Sequence, residues 1–204
     1  SIWSDDGIAI HLPDADARTI YETPRVASGG AYAPQGRGTA APGGWRVSGR
    51  WAFASGCEHC TWLTGGTMVE GAGGKPEARL MLFPRSEVEI VDTWNVSGLR
   101  GTGSHDIAVK DVFVTTERSV ALTTDRPRRG GTLYAFPVFG LLALGGASVA
   151  IGIARRAIEE LTNMAATKTA TLQRRRLAER PVVQAKVAEA EALLGSARAF
   201  LKDA

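Results

Sequence analysis

Three groups of residues in this chain have types and spacings suited to chemistry. The first is Ala54, Ser55 and Gly56, which close an alternating run that begins at Gly44. One hydroxyl between two small residues lets a flat ligand approach the backbone closely and meet a single hydrogen-bonding side chain. The second is the stretch 28–38, where Gly29, Gly30, Gly36 and Gly38 surround Tyr32, Ala33, Pro34, Gln35 and Arg37. It reads as a Gly- and Pro-rich loop that offers backbone N–H and C=O groups to the edge of a ligand. The third, 98–104, sets Arg100 and Ser104 among Gly98, Gly101 and Gly103. That composition suits either an anion-binding turn or a hairpin with Arg100 in a salt bridge. Cys57 and Cys60 enclose Glu58 and His59 and look like half of a metal site. There is no second Cys pair, the other histidines are His11 and His105, and structural zinc takes four ligands. A redox Cys-x-x-Cys usually opens a helix, whereas this one leaves a strand. We read both cysteines as packing and expect no metal. No Ser/His/Asp set and no suggestively spaced pair of carboxylates stands out.

The elements that must position these groups follow from periodicity. Trp45, Val47, Gly49, Trp51 and Phe53 alternate with Arg46, Ser48, Arg50, Ala52 and Ala54. A period of two predicts a strand with its large apolar groups on one face and Ala54 on the other. Ile107, Val109, Val112 and Val114 follow the glycine turn, and further apolar runs fall at 62–63, 79–83 and 88–91. Gly/Pro punctuation, as at 71–76, separates them, so 25–122 reads as a small antiparallel barrel or sandwich. Before it, 1–24 reads as the tail of something, with Ile8 to Leu12 stopped by Pro13 and a helical turn over 15–21; that it is the remnant of a helical domain is implied by the family resemblance given below. Residues 123–132 read as a polar linker. In 133–204, Leu144, Ala147, Ile151, Ala154, Ile158, Leu161 and Ala165 form one helical stripe, and Val183, Val187, Ala190, Leu194, Ala197 and Leu201 another. Pro181 suits the first turn of the second helix. These stripes predict an antiparallel helical hairpin joined near 168–178, whose other faces need more helices or a second subunit. The expected fold class is therefore α+β and multi-domain, a β-barrel followed by part of a helical bundle.

Composition narrows the function classes. The chain has 204 residues, 44% hydrophobic and 22% charged, which is ordinary for a soluble globular protein. The net charge is +3, and basic residues cluster only at 126–129 and 174–176, which we read as solvated loops. Nucleic acid is not an expected partner. The apolar stretch 139–153 is short and Gly-rich for a membrane span and reads as a buried helix. The first residues lack the basic and apolar regions of a signal peptide, and two cysteines suit a reducing compartment, so a cytoplasmic location is expected.

The strand ending Trp51, Ala52, Phe53, Ala54, Ser55, Gly56, and the later block from Trp94 to Ser104, together resemble the middle β-domain of the acyl-CoA dehydrogenase superfamily. The resemblance covers about residues 20–204 and is weaker after 125. It is strongest to the flavin-dependent monooxygenase branch. It implies that the helical domain with which family members begin is missing here. It implies FMN or FAD as cofactor, with Tyr32, Ala33, Pro34 and Gly36 along the ring and its pyrimidine edge, and Ala54, Ser55 and Gly56 near N5. Dehydrogenases usually carry Thr-Glu-Pro where this chain has Tyr32, Ala33 and Pro34, and a Thr hydroxyl where it has Ala54. Ser55 is then the nearest hydroxyl, expected as a donor to N5. These departures favour a monooxygenase that receives reduced flavin from a separate flavin reductase and uses oxygen on an apolar or aromatic small-molecule substrate. The alternative is an FAD-dependent acyl-CoA dehydrogenase that passes electrons to an electron-transfer flavoprotein. A non-catalytic barrel with an oligomerising hairpin is a rival from another class. The resemblance also implies a homotetramer, with Lys168 or Arg174 replacing a family Arg that contacts flavin phosphates. It places the principal base or histidine beyond Ala204, so the catalytic residues are unknown.

Overall fold

A computed structural model of the chain describes residues 6–22, 26–71, 74–169, 171 and 174–203. The expected boundary at 24/25 and part of the 71–76 punctuation lie outside the described residues. The chain divides into two units, Ser1–Ala135 and Phe136–Ala204.

The first unit is built on one seven-stranded sheet: β1 Ser28–Ala41, β2 Gly44–Trp51, β3 Trp62–Glu70, β4 Pro76–Pro84, β5 Glu89–Val91, β6 Asp106–Thr115 and β7 Ser119–Val120. Their order is β5-β6-β2-β1-β3-β4-β7. The antiparallel barrel is corrected in two respects. The sheet is open, and β1 pairs with β3 in parallel, from Ser28↔Trp62 to Gly38↔Val69. Parallel neighbours need a crossover connection. Here β2 and the corner after it supply that crossover, and no local signal in the sequence announces it.

A second correction concerns 28–38, which is strand rather than loop. Its glycines serve close packing. A Cβ on Gly36 would stand 2.4 Å from the Trp51 ring, and one on Gly65 would stand 2.6 Å from it. Trp51 is fully buried, lies 5.8 Å from the Phe83 ring, and donates its Nε1–H to the carbonyl of Gly66 at 2.6 Å. Around it gather Val47, Leu63, Met81, Ile107 and Val114. β4 is buried on both faces. Met81 and Phe83 enter this core, while Leu80 and Leu82 meet Ile8, Leu12 and Ile20. Those last three come from a 3-10 segment, Asp6–His11, and from helix α1, Asp14–Tyr21. The polar stretch 123–132 is tied to this unit. Asp125 accepts from Arg79 and from the Ala121 N–H, and Arg128 donates to the carbonyls of Ile10 and His11.

The second unit is a pair of helices, α2 Val138–Thr167 and α3 Pro181–Asp203, with a 3-10 turn at Leu177–Glu179 between them. Pro181 opens α3, where its missing N–H costs nothing. Arg155 forks onto Glu191 at 2.6 and 2.8 Å. Along α2 and α3 the buried residues are Ile158, Ala165 and Leu194. The buried-helix expectation for 139–153 is corrected: Phe139, Val149 and Ile153 are more than half exposed. Within this unit α3 is the partner helix, and it covers one side. By length and composition alone, α2 is long and apolar enough to cross a membrane.

Candidate functional site

The site forms where β2 runs out. The alternation of β2 holds through Trp51 and then breaks, because Phe53 adopts φ 62°, a left-handed conformation uncommon for a bulky residue. The break has two effects. It turns the Phe53 ring outward, 69% exposed, and it turns Ala54 inward, fully buried among the core residues. The expected faces of Phe53 and Ala54 are thus exchanged. Gly56, at φ 77°, completes the corner and leads into a 3-10 turn, Cys57–His59.

Two stretches far apart in sequence are stitched together at this corner. The Ala54 N–H donates to the His105 carbonyl at 3.0 Å, and the Gly56 N–H donates to the Thr102 carbonyl at 2.8 Å. Ser55 Oγ lies 2.8 Å from Ser104 Oγ, and Ser104 Oγ lies 2.7 Å from Thr102 Oγ1. The glycine block 98–104 is therefore the support of the Ser55 corner. Arg100, exposed at the start of the 3-10 turn Arg100–Thr102, makes no ion pair with the described residues. Just outside the corner, the Phe53 and Trp94 rings meet edge to face at 6.2 Å. Trp94 is fixed by its Nε1–H, which donates to the Leu99 carbonyl, and Leu99 is itself 79% exposed. Asp106 anchors the start of β6. Its carboxylate accepts from Arg50 at 2.8 Å and from Thr93 at 2.9 Å. The Arg50 guanidinium, opposed by burial and helped by the Thr93 hydroxyl, holds this carboxyl below the usual range.

The second expected segment lies next to the corner. Pairing of β1 with β3 jumps from Ala31↔Gly65 to Gly36↔Thr67, so Tyr32, Ala33, Pro34 and Gln35 stand against Gly66 alone. Gly66 is required there: a Cβ would fall 2.2 Å from the Tyr32 carbonyl oxygen and 2.5 Å from that of Ala33. Ala33, Pro34 and Gln35 are exposed, and Gly36 is buried on Trp51. Gln35 reaches across to the corner, where its Oε1 accepts from the Ala52 N–H at 3.4 Å. A groove of about 730 Å³ runs along β1 from Pro34 to Thr39 and takes in Met68 and Glu70, but not Ser55.

The structure thus links the β1 segment to the Ser55 corner through Gln35 and Ala52, while Tyr32 packs against the cluster of Ile8, Leu12 and Ile20, Gly36 is buried on Trp51, and Ala54 belongs to the core. Sequence reasoning missed Gln35, Gly66 and the supporting roles of Thr102 and Ser104. The alternation runs on through Phe53 in the sequence, so nothing periodic marked the corner. Cys57 and Cys60 are buried thiols that donate to the carbonyls of Gly103 and Gly56. Burial, and then Glu58, push the Cys57 thiol up, which keeps it protonated and unreactive. Among the described residues, no group of three or more His, Cys, Asp or Glu could hold a metal ion.

Comparison with known proteins adds lineage to this geometry. A family model described as acyl-CoA dehydrogenase, C-terminal domain, matches residues 144–204. The oxygenase component of an FADH2-dependent resorcinol hydroxylase from Rhizobium sp. (strain MTP-10005) is 35% identical over 203 residues, 93% of this chain and 50% of that protein. An indole-3-acetate monooxygenase of Pseudomonas putida is 36% identical over 182 residues, 86% of this chain and 44% of that protein. The chain therefore spans about half the length of the curated relatives it matches. Among solved structures, the 3-HSA hydroxylase from Rhodococcus sp. RHA1 superposes with a TM-score of 0.78 at 27% identity, covering 95% of this chain and 51% of that one. The family model over 144–204, the relatives and the shared fold agree in likening this chain to the acyl-CoA dehydrogenases and to flavin-dependent monooxygenases.

Proposed function

We propose that the intact protein is the oxygenase component of a two-component flavin monooxygenase. Reduced FMN or FAD comes from a separate reductase, and an apolar, aromatic small molecule is oxygenated. The observation that carries this reading is the pairing of an open hydroxyl corner, Ser55 and Gly56, with a β1 segment whose register breaks over Gly66. A flat ring fits such a place. Ala33, Pro34 and Gln35 are exposed, and the corner presents one hydroxyl. The chain offers neither the Glu nor the Thr that the dehydrogenase version carries, since Ala33 and Ala54 stand there.

In this reading the bound reduced ring supplies the electrons that activate oxygen. The residues of this chain bind and orient it. The backbone of 32–35 meets its edge, and Ser55 meets its central region. The exposed Phe53 ring, with the half-buried Trp94 ring against it, presents an apolar surface beside the corner that suits an aromatic substrate. We also infer a homotetramer in the cytoplasm. The exposed apolar side of α2, with Phe139, Val149 and Ile153 beside Gly145, Gly146 and Gly152, suits cover by a second copy. Anaerobic titration of the full-length protein with reduced FMN and reduced FAD tests the reading. Saturable binding of at least one is expected, and binding of neither would overturn it.

A further inference from the structure

We propose that the cavity at the β7 edge of the sheet, lined by His11, binds a tetrahedral oxyanion that keeps a hydroxyl: hydrogen phosphate or a phosphomonoester. The cavity has a volume of about 360 Å³ and lies between His11, Arg79 of β4, the 3-10 turn Thr116–Arg118 and the stretch 125–128. It is remote from the Ser55 corner, because β1, β3 and β4 stand between β7 and β2 in the sheet. His11 is 8% exposed, and neither of its ring nitrogens has a hydrogen-bond partner among the described residues. A buried polar group left without a partner is costly, so such atoms mark places where something else binds. The neighbours of the ring do not satisfy it. The Asp125 carboxylate and the Arg126 carbonyl favour its charged form, but neither meets a ring nitrogen with hydrogen-bond geometry.

The free groups around His11 set the chemistry of the ligand. Arg79 and Asp125 are bonded to each other at 3.1 Å, and Arg79 also holds Glu77 and Ser119. Arg128 is fixed at the rim: its backbone N–H donates to the Ile10 carbonyl at 2.8 Å and its Nε to the His11 carbonyl at 3.0 Å. Its terminal nitrogens, and the whole Arg126 guanidinium, have no partner among the described residues. Against these two guanidinium groups stands one free carboxylate in the lining, Glu117, so the free charge is positive. Guanidinium forks suit an oxyanion. Burial lowers the His11 pKa, opposed by Asp125 and the Arg126 carbonyl, and so favours the neutral ring with one N–H and one lone pair. A carboxylate or sulfate answers the N–H and leaves the lone pair facing an oxygen. A phosphate group that keeps a hydroxyl answers both. The basic run that begins at Arg126, expected from the sequence to be a solvated loop, thus lines a cavity.

The test titrates the full-length protein by calorimetry with inorganic phosphate, glycerol phosphate and sulfate, at matched ionic strength and about pH 6.5. There sulfate is fully ionised, inorganic phosphate keeps a proton, and a phosphomonoester keeps one in part. Saturable phosphate binding is expected, about tenfold tighter than sulfate, the scale of one hydrogen bond. Glycerol phosphate that binds as tightly as phosphate would assign a phosphomonoester as the ligand, and weaker binding would assign free phosphate. Arg126→Gln removes one free guanidinium at an exposed position and should weaken phosphate about tenfold. His11→Ala should bring phosphate down to the affinity of sulfate; should that variant fail to fold, Arg126→Gln still decides. Equal affinity for phosphate and sulfate in the wild type would indicate an adventitious ion only and overturn the proposal. Phosphate binding unchanged in Arg126→Gln would overturn it too. So would the lack of any saturable binding, which would leave the cavity to water.

Discussion

Replacing Gly66 by Ala places a methyl carbon where the carbonyl oxygens of Tyr32 and Ala33 lie, 2.2 and 2.5 Å from the ideal Cβ. Nonbonded heavy atoms settle at about 3.5 Å, so the 32–35 segment must move by roughly 1 Å. Gly66 cannot yield instead. It is paired with Leu80 on β4, and its carbonyl accepts the buried Trp51 Nε1–H at 2.6 Å. Overpacking of this kind costs about 1–3 kcal/mol. Weakening the Trp51 bond adds about 1 kcal/mol, so a total near 2–4 kcal/mol is expected. Urea unfolding of the full-length variant measures this, and turnover measures the site. A 1 Å displacement of a binding segment costs roughly a hundredfold in rate. Gly98→Ala and Gly101→Ala are the controls, since a Cβ at either position meets nothing within 4 Å. A Gly66→Ala protein with wild-type stability and wild-type flavin affinity would refute the assignment of the 32–35 segment to the cradle.

Ser55→Ala should raise the fraction of oxygen released as hydrogen peroxide while the protein stays folded; a peroxide yield equal to the wild type would argue that Ser55 does not meet the flavin. The Asp106–Arg50 pair predicts a pH limb. The folded carboxyl titrates below its unfolded value, so the pair's stabilisation is fully present above the usual carboxylate range near 4 and is lost as pH falls through the lower folded value. Asp106→Asn should flatten that acid limb in unfolding experiments from pH 6 down to about 2. Val149→Glu together with Ile153→Glu places charge on the apolar side of α2, and light scattering should report a smaller assembly; an unchanged mass would place the subunit contact elsewhere.

Much of this molecule could be read from its sequence where the signal was local. The period-two alternation from Trp45 to Trp51 marked β2, and stripes of Ala, Ile and Leu marked both long helices. The two motif blocks stood out in the sequence, although the contact between them did not. That contact depends on His105 and Thr102 carbonyls reaching the Ala54 and Gly56 amides, a tertiary event with no periodic trace. Glycine misled at 28–38. There Gly36 answers the bulk of Trp51, Gly30 the backbone of Thr64 and Gly38 the side chain of Val69, neighbours in space and not in sequence, and so a strand resembled a loop. Phe53 misled in the same way. Its left-handed φ ends the strand phase two residues early, and propensity gives no warning of that for an aromatic residue. The exposure of α2 was hidden for the opposite reason, because an apolar helix reads as buried whether its cover is in the same chain or outside it.

The central claim is that reduced flavin and oxygen, rather than an acyl-CoA thioester, drive turnover. The most direct test supplies the full-length protein with NADH, a flavin reductase, an aromatic substrate panel and isotopically labelled oxygen gas, and follows the label by mass spectrometry. The account predicts one labelled oxygen atom in the product and no product when the reductase is left out. Reduction of bound flavin by an acyl-CoA under anaerobic conditions, with electrons passing to an electron-transfer flavoprotein and no label in any product, would contradict it.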